Sequence, residues 1–271
     1  MSCCGCCSSK NVEVEEPVPK EGFLYEKVRS KFRPLDLILF RGSDFVSDTI
    51  RTMCNTRLSK TWADNYSHAG VVVTSEILDH PEVKEGVIYV WESTISGKLG
   101  QNVYNISGES FLGTQLRNFD DLVIEYDKPN TTSVALCQLN NNPANSDDFD
   151  KKKALRKEFT EVFTKYNGVR YDLNFLSLLS ALYPPSRCVR PLEKVLGTQN
   201  WLFCSELCAL VYKRLNLLPG AVNEKNVLPV DFINGVDEDK AIPKNFVKYP
   251  LRVVTKAHYE PENFMVIGND I

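Results

Sequence analysis

Cys204 is the residue of this chain best placed to act as a nucleophile. It lies in Trp201-Leu-Phe-Cys-Ser-Glu-Leu-Cys-Ala-Leu-Val-Tyr, where an apolar face built from Leu207, Leu210, Val211 and Leu215 marks a helix beginning near residue 204. A helix N-terminus presents unpaired N–H groups and about half a positive charge. These favour a thiolate over a thiol and offer donors to a developing oxyanion. Cys208, one turn further in, has the position of a buried apolar thiol, a common fate for cysteine. That fate is open for Cys204 as well, and position in the helix separates the two.

A nucleophilic thiol needs a base, and the chain has three histidines. His80 precedes Pro81 in an acidic segment and reads as a loop tip. His258 lies near the C-terminus between Ala257 and Tyr259. His68 opens the run Ala-Gly-Val-Val-Val, a β-branched strand, so its side chain would be held on a rigid element. A satisfied, partly buried histidine is the equal alternative. A third group would orient the imidazole. If Ala69–Thr74 pairs antiparallel with Val87–Ser93, the start of the first strand lies beside the end of the second, and His68 comes near Glu92. Alternation places Ile88, Val90 and Glu92 on one face. An ordinary solvated strand end is the competing account of Glu92.

The elements that must carry these residues fall into two groups. Strand candidates are Leu35–Phe40, Ala69–Thr74, Val87–Ser93, Leu122–Tyr126, Ser133–Leu139 and Leu251–Thr255, with a short helix at Ser47–Met53. The polar, turn-rich stretch Asn140–Asp150 separates them from a helical half. That half opens at Lys152–Tyr166, where Leu155, Phe159, Val162, Phe163 and Tyr166 recur at helical spacing before Gly168. Grouped strands and grouped helices predict an α+β fold, an antiparallel sheet packed against helices. No linker is evident after residue 20, which predicts one catalytic domain over 21–271.

Composition narrows the function classes. The chain has 271 residues, 43% hydrophobic and 25% charged, with a formal net charge of −3. This balance lacks the basic stripe of a nucleic-acid binder, and no nucleic-acid partner is expected. The longest apolar stretch, Leu173–Tyr183, is interrupted by Asn174, Ser177 and Ser180. It falls short of the roughly 20 residues that span a bilayer. No apolar run follows the first charges, so no secretory signal is read. Of nine cysteines, four sit in the first seven residues, and the other five are scattered without the even spacing of a disulfide framework, which suits a reducing, cytoplasmic setting. The sequon at Asn65 lies against His68, where a glycan would crowd the site.

Residues 1–20 read as a tail without core periodicity. Cys3, Cys4, Cys6 and Cys7 admit three readings. S-acylation, such as palmitoylation, would attach the chain to a membrane surface, each buried methylene adding about 0.8 kcal/mol. Metal binding has C-x-x-C spacing at Cys3/Cys6 and Cys4/Cys7 but no matching second pair. An oxidisable tail without a role is the third. Acylation is favoured over the other two. Ser at position 2 excludes myristoylation. Three histidines far apart in sequence supply no ligand set for metal chemistry, so no cofactor is expected.

At these residues the chain resembles the circularly permuted NlpC-type papain-like proteins, in particular the YiiX/YaeF/YebB-type and poxvirus-type branch. Lecithin:retinol acyltransferase-like enzymes are more distant relatives. Pro34-Leu-Asp-Leu-Ile-Leu-Phe resembles the opening Gly-Asp strand, with Leu35 in place of the usual glycine. Ser67-His-Ala-Gly-Val-Val-Val resembles the histidine strand, Tyr166-Asn-Gly-Val-Arg-Tyr-Asp the turn before the nucleophile, and Phe203-Cys-Ser-Glu-Leu the nucleophile helix. The order, histidine first and cysteine last, is that of the permuted branch. The resemblance implies a papain-like fold with His68 and Cys204 adjacent and a polar third residue, mapped to Glu92. It implies Tyr171 near the substrate pocket, a position a core-capping tyrosine could equally fill. Ser205, beside the nucleophile, joins Tyr171 as a candidate contact to substrate or oxyanion.

The function expected is a cysteine hydrolase or acyltransferase acting on an amide or ester, lipid or peptide, through an acyl-enzyme. A non-catalytic interaction module that keeps the fold is the alternative.

Overall fold

The computed structural model describes residues 23–42, 66–94, 113–126, 133–170, 202–234, 242–243, 246–248 and 251–254. The tail cysteines, Asn65, Tyr171, His258 and the expected helix at Ser47–Met53 lie outside them.

Seven strands form one sheet: β1 (Phe23–Leu24), β2 (Leu37–Arg41), β3 (His68–Val73), β4 (Tyr89–Thr94), β5 (Gly113–Asn118), β6 (Ser133–Cys137) and β7 (Leu251–Val254). Their order across the sheet is β1-β7-β6-β2-β3-β4-β5. Every neighbouring pair is antiparallel except β1 with β7. Five helices accompany them among the described residues: α1 (Tyr25–Val28), α2 (Phe119–Tyr126), α3 (Phe149–Tyr166), α4 (Cys204–Arg214) and α5 (Asp231–Asn234). The α+β expectation holds.

The sheet is covered on both faces, which explains why β3 reads as an unbroken apolar run rather than an alternating one. One face carries Leu37, Leu39, Val71, Val73, Trp91 and Leu116 against Phe159 and Phe163 of α3 and Leu207 and Val211 of α4. Trp91 meets Phe163 at 5.0 Å between ring centroids and Phe159 at 5.9 Å, edge-on. The other face carries Ile38, Phe40, Val72 and Val90 against Val28 of α1 and Phe119, Leu122 and Val123 of α2. Burial of these side chains supplies most of the driving force, at about 25 cal/mol per Å² of apolar surface.

One row runs across five strands at the end where β3 begins. Phe23 pairs with Val253, Val253 with Val134, Val134 with Phe40, and Phe40 with His68.

Two sequence expectations are corrected. Leu122–Tyr126, read as a strand, belongs to α2. Phe119, Leu122, Val123 and Tyr126 have helical spacing, and the Asn118 side chain accepts the Asp120 N–H at 2.9 Å. Ile124, the β-branched residue that suggested a strand, is 65% exposed. The helix expected from Lys152 starts at Phe149, because the Asp148 carboxylate accepts the N–H groups of Asp150 and Lys151 at its N-terminus.

The turn into β2 fixes α4. Leu35, fully buried, has φ 70°, the left-handed region that glycine favours. Its N–H donates to Val72 O at 2.9 Å, and its carbonyl accepts the Tyr212 hydroxyl of α4 at 2.9 Å. The Asp36 carboxylate accepts from the N–H groups of Arg33 and Leu139 and from Asn142 Nδ2. Burial pushes its carboxyl up to about 6 against the pull of these donors.

Candidate active site

The register of β3, β4 and β5 builds the polar part of the site. Gly70 pairs with Glu92, Glu92 with Gln115, and Val90 with Arg117. Side chains two residues apart share a face, so His68, Glu92 and Arg117 fall on one diagonal across three strands. His68 Nε2 donates to Glu92 Oε2 at 2.7 Å, and Arg117 Nη1 donates to Glu92 Oε1 at 3.1 Å. All three are buried, Glu92 completely. The antiparallel pairing expected for His68 and Glu92 is present.

Cys204 lies close enough to the His68 ring to raise its basicity. With Nε2 taken by Glu92, the other ring nitrogen is the one that can meet the sulfur. Helix α4 packs on the sheet face opposite the one that carries His68 by alternation. The two residues meet because each is the first of its element, His68 of β3 and Cys204 of α4.

Electrostatics follow from this arrangement. Burial pulls the His68 imidazolium down, but the charges and hydrogen bonds of Cys204 and Glu92 outweigh it and push the ring up to about 10. Burial alone would push the Glu92 carboxyl up. His68 and Arg117 together hold it below the usual carboxylate range. Cys208, also fully buried, is pushed well above an ordinary thiol, first by burial and then by Cys204 and Glu92. Both cysteines are buried; Cys204 lies beside His68, whereas Cys208 lies in the apolar core.

The segment leading to Cys204 is pinned from three sides. Ser93 Oγ, next to Glu92, donates to Leu202 O at 2.6 Å. Leu202 N–H donates to Arg170 O at 3.1 Å, and Arg170 bridges to Gly113 of β5. Phe203, at the N-cap, has no oxygen with which to cap the first turn, while Glu206 Oε2 accepts the Phe203 N–H at 3.2 Å. Ser205 Oγ donates to Val227 O at 2.6 Å. Its hydroxyl therefore holds the following loop, and any contact of Ser205 to an oxyanion falls to its backbone N–H. Phe40 and Tyr126 flank the imidazole, with centroids 5.4 and 6.3 Å from it.

Sequence reasoning missed Arg117 and the whole of β5. Thr114, Gln115 and Arg117 read as solvated, and Leu116 alone carries the apolar pattern. Its position opposite Val90 became visible only with the register. His80 accepts the Glu82 N–H within a turn and edges onto Phe163, apart from the site.

Among the described residues, no group of three or more His, Cys, Asp or Glu side chains could hold a metal ion. No described helix is long and apolar enough to cross a membrane. No protein-family model matches the chain, and no curated protein matches it. A solved structure that shares features with it is the metalloprotein YiiX from Escherichia coli O157:H7. The two are 12% identical with a TM-score of 0.38, over 83% of this chain and 90% of that one.

Proposed function

We propose that the chain is a cysteine hydrolase or acyltransferase of the permuted papain-like type, with Cys204 as nucleophile, His68 as acid–base and Glu92 orienting His68. The observation that carries this reading is the buried Cys204–His68–Glu92 relay at the start of a helix. Histidine that precedes the nucleophile along the chain agrees with the permuted order.

The chemistry follows from the proton's place. In this reading the Cys204 sulfur attacks as the thiolate, with the proton held on the His68 ring beside it. Cys204 Sγ adds to the carbonyl carbon of an amide or ester, and the carbonyl electrons move onto oxygen. Backbone N–H groups of the first turn of α4 stabilise that oxyanion. As the tetrahedral species collapses, His68 gives its proton to the departing amine or alcohol, leaving a thioester on Cys204. Water or another acyl acceptor then loses a proton to His68 and attacks the thioester, restoring the thiolate. Glu92 holds the ring in one orientation throughout.

The substrate is an amide or ester, of a lipid or a peptide. Acylation of Cys3, Cys4, Cys6 and Cys7 would place a cytoplasmic protein on a membrane surface and favour substrates found there. The test is mass spectrometry of the full-length protein after incubation with activated thioester, ester and amide acyl donors. An acyl adduct on Cys204, absent in Cys204→Ala, is expected. A protein that forms no adduct with any donor class, while Cys204 labels no faster than Cys137, is the interaction module instead.

A further inference from the structure

We propose that Arg117 is a positioning residue of the site, a fourth member that supplies the second positive charge needed to keep two anions beside one imidazolium. The inference rests on the cysteine-nucleophile reading and deepens it.

The argument is one of charge. In the attacking form, Cys204 and Glu92 are each negative and His68 is positive. That trio carries a net negative charge in a place where Glu92 is fully buried and His68 nearly so. An uncompensated buried charge is resolved by taking up a proton. Two sites could take it, the Glu92 carboxyl or the Cys204 sulfur, and each route weakens the relay. Arg117 removes the need. Its guanidinium, 1% exposed, donates Nη1 to Glu92 Oε1 at 3.1 Å, while Oε2 stays free for His68. The signs then alternate along the chain Cys204, His68, Glu92, Arg117, and the sum is zero.

An arginine is suited to this place. Its guanidinium stays charged when buried and presents its donors in a fixed fork that suits a carboxylate. The diagonal also separates Arg117 from the reacting sulfur by two groups, so it acts through Glu92 and does not reach the substrate. Among the described residues, other ionisable groups set against this cluster include Cys208 of α4, whose thiol is held neutral by burial, and Tyr126 of α2, beside the His68 ring. Neither supplies a positive charge.

The experiment is the rate of iodoacetamide alkylation of Cys204, read by peptide mass spectrometry from about pH 4 to about pH 10. The full-length wild type is compared with Arg117→Met, Arg117→Lys and the double variant Glu92→Gln/Arg117→Met. In Arg117→Met the midpoint is expected to move up by about one pH unit or more, with about tenfold slower labelling at a pH below both midpoints. Arg117→Lys keeps the charge, so its midpoint stays near that of the wild type. The double variant removes both charges, so its midpoint returns toward the wild type. A role in packing alone would slow or unfold each variant without this pattern. A reactive wild type whose midpoint is unmoved in Arg117→Met overturns the proposal and spares the nucleophile. If Arg117→Met does not fold, a midpoint displaced by a full unit in Arg117→Lys, or one not restored in the double variant, overturns it equally. A wild-type Cys204 no faster than Cys137 overturns both readings.

Discussion

Gly70 and Glu92 stand directly opposite one another on β3 and β4, and no side chain larger than hydrogen fits at residue 70. A Cβ there would come within 2.4 Å of Val90 Cγ1 and 3.3 Å of Glu92 Cβ. The bare backbone at Gly70 is the space across which Glu92 reaches His68. Gly70→Ala is therefore expected to lower stability by about 1–3 kcal/mol, the range for overpacking a filled interior. It should also slow Cys204 alkylation, because Val90 and Glu92 must shift. Chemical denaturation and thiol labelling measure the two effects. An alanine variant that matches the wild type in both would show that the strands part there without consequence.

Stability should decline with alkaline pH through one identifiable group. The His68 ring is raised from 6.5 to about 10 on folding. A group raised in the folded state contributes stability that is complete below its unfolded value and is lost as pH rises through its folded value. The window thus runs from about 6.5 to about 10. In a thiolate–imidazolium pair the proton His68 gains on folding is the one Cys204 gives up, so denaturation midpoints in the wild type should fall toward the alkaline end of this window, near about 10, and fall less steeply in His68→Gln. Equal slopes in the two proteins would contradict the assignment.

Ser93 tests the path by which the sheet holds the nucleophile. Its hydroxyl donates to Leu202 O, two residues before Cys204, and both residues are buried. Ser93→Ala removes the donor and leaves a buried carbonyl short of a partner, a loss of about 1–3 kcal/mol. Labelling of Cys204 should slow while its pH midpoint stays in place, since no charge has changed. A displaced midpoint would mean that Ser93 acts on the ionisation of the site and not on its position.

Leu35 sets a strained backbone against a buried side chain. Glycine at this place would relieve about 1–2 kcal/mol of left-handed strain, yet it would delete a fully buried leucine. Loss of such a side chain exceeds that relief, at about 2–5 kcal/mol for truncation to alanine. Leu35→Gly is expected to be net destabilising in guanidinium titration. A more stable glycine variant would show that strain outweighs packing at this turn.

How much of this was legible in the sequence depends on where each residue's partners come from. The β3–β4 pairing could be read because two β-branched runs follow one another in the chain, and antiparallel pairing of such runs sets the end of the second, with Glu92, beside the start of the first, with His68. The position of Cys204 followed from the periodicity of its own helix. Arg117 was not legible: nothing in the sequence sets the register of its strand against the one that carries Glu92, and a polar strand buried for its charge looks the same in sequence as one left in water. At Leu122–Tyr126 the β-branched residues outweighed the helical spacing of Phe119, Leu122, Val123 and Tyr126, which begins before that stretch. The occupant of the glycine position could be named, but that its backbone is left-handed emerges only from the turn itself.

The row that begins at Phe23 and ends at His68 has a practical meaning for a tethered protein. The chain enters the sheet at its outer edge, yet at the same end as the reacting pair, four strand spacings or roughly 19 Å to one side. A leash fastened upstream of Phe23 would thus pull on the end of the molecule where the chemistry occurs, turning that end toward whatever holds the leash. Immobilised through its N-terminus, the protein should work best on what shares its surface.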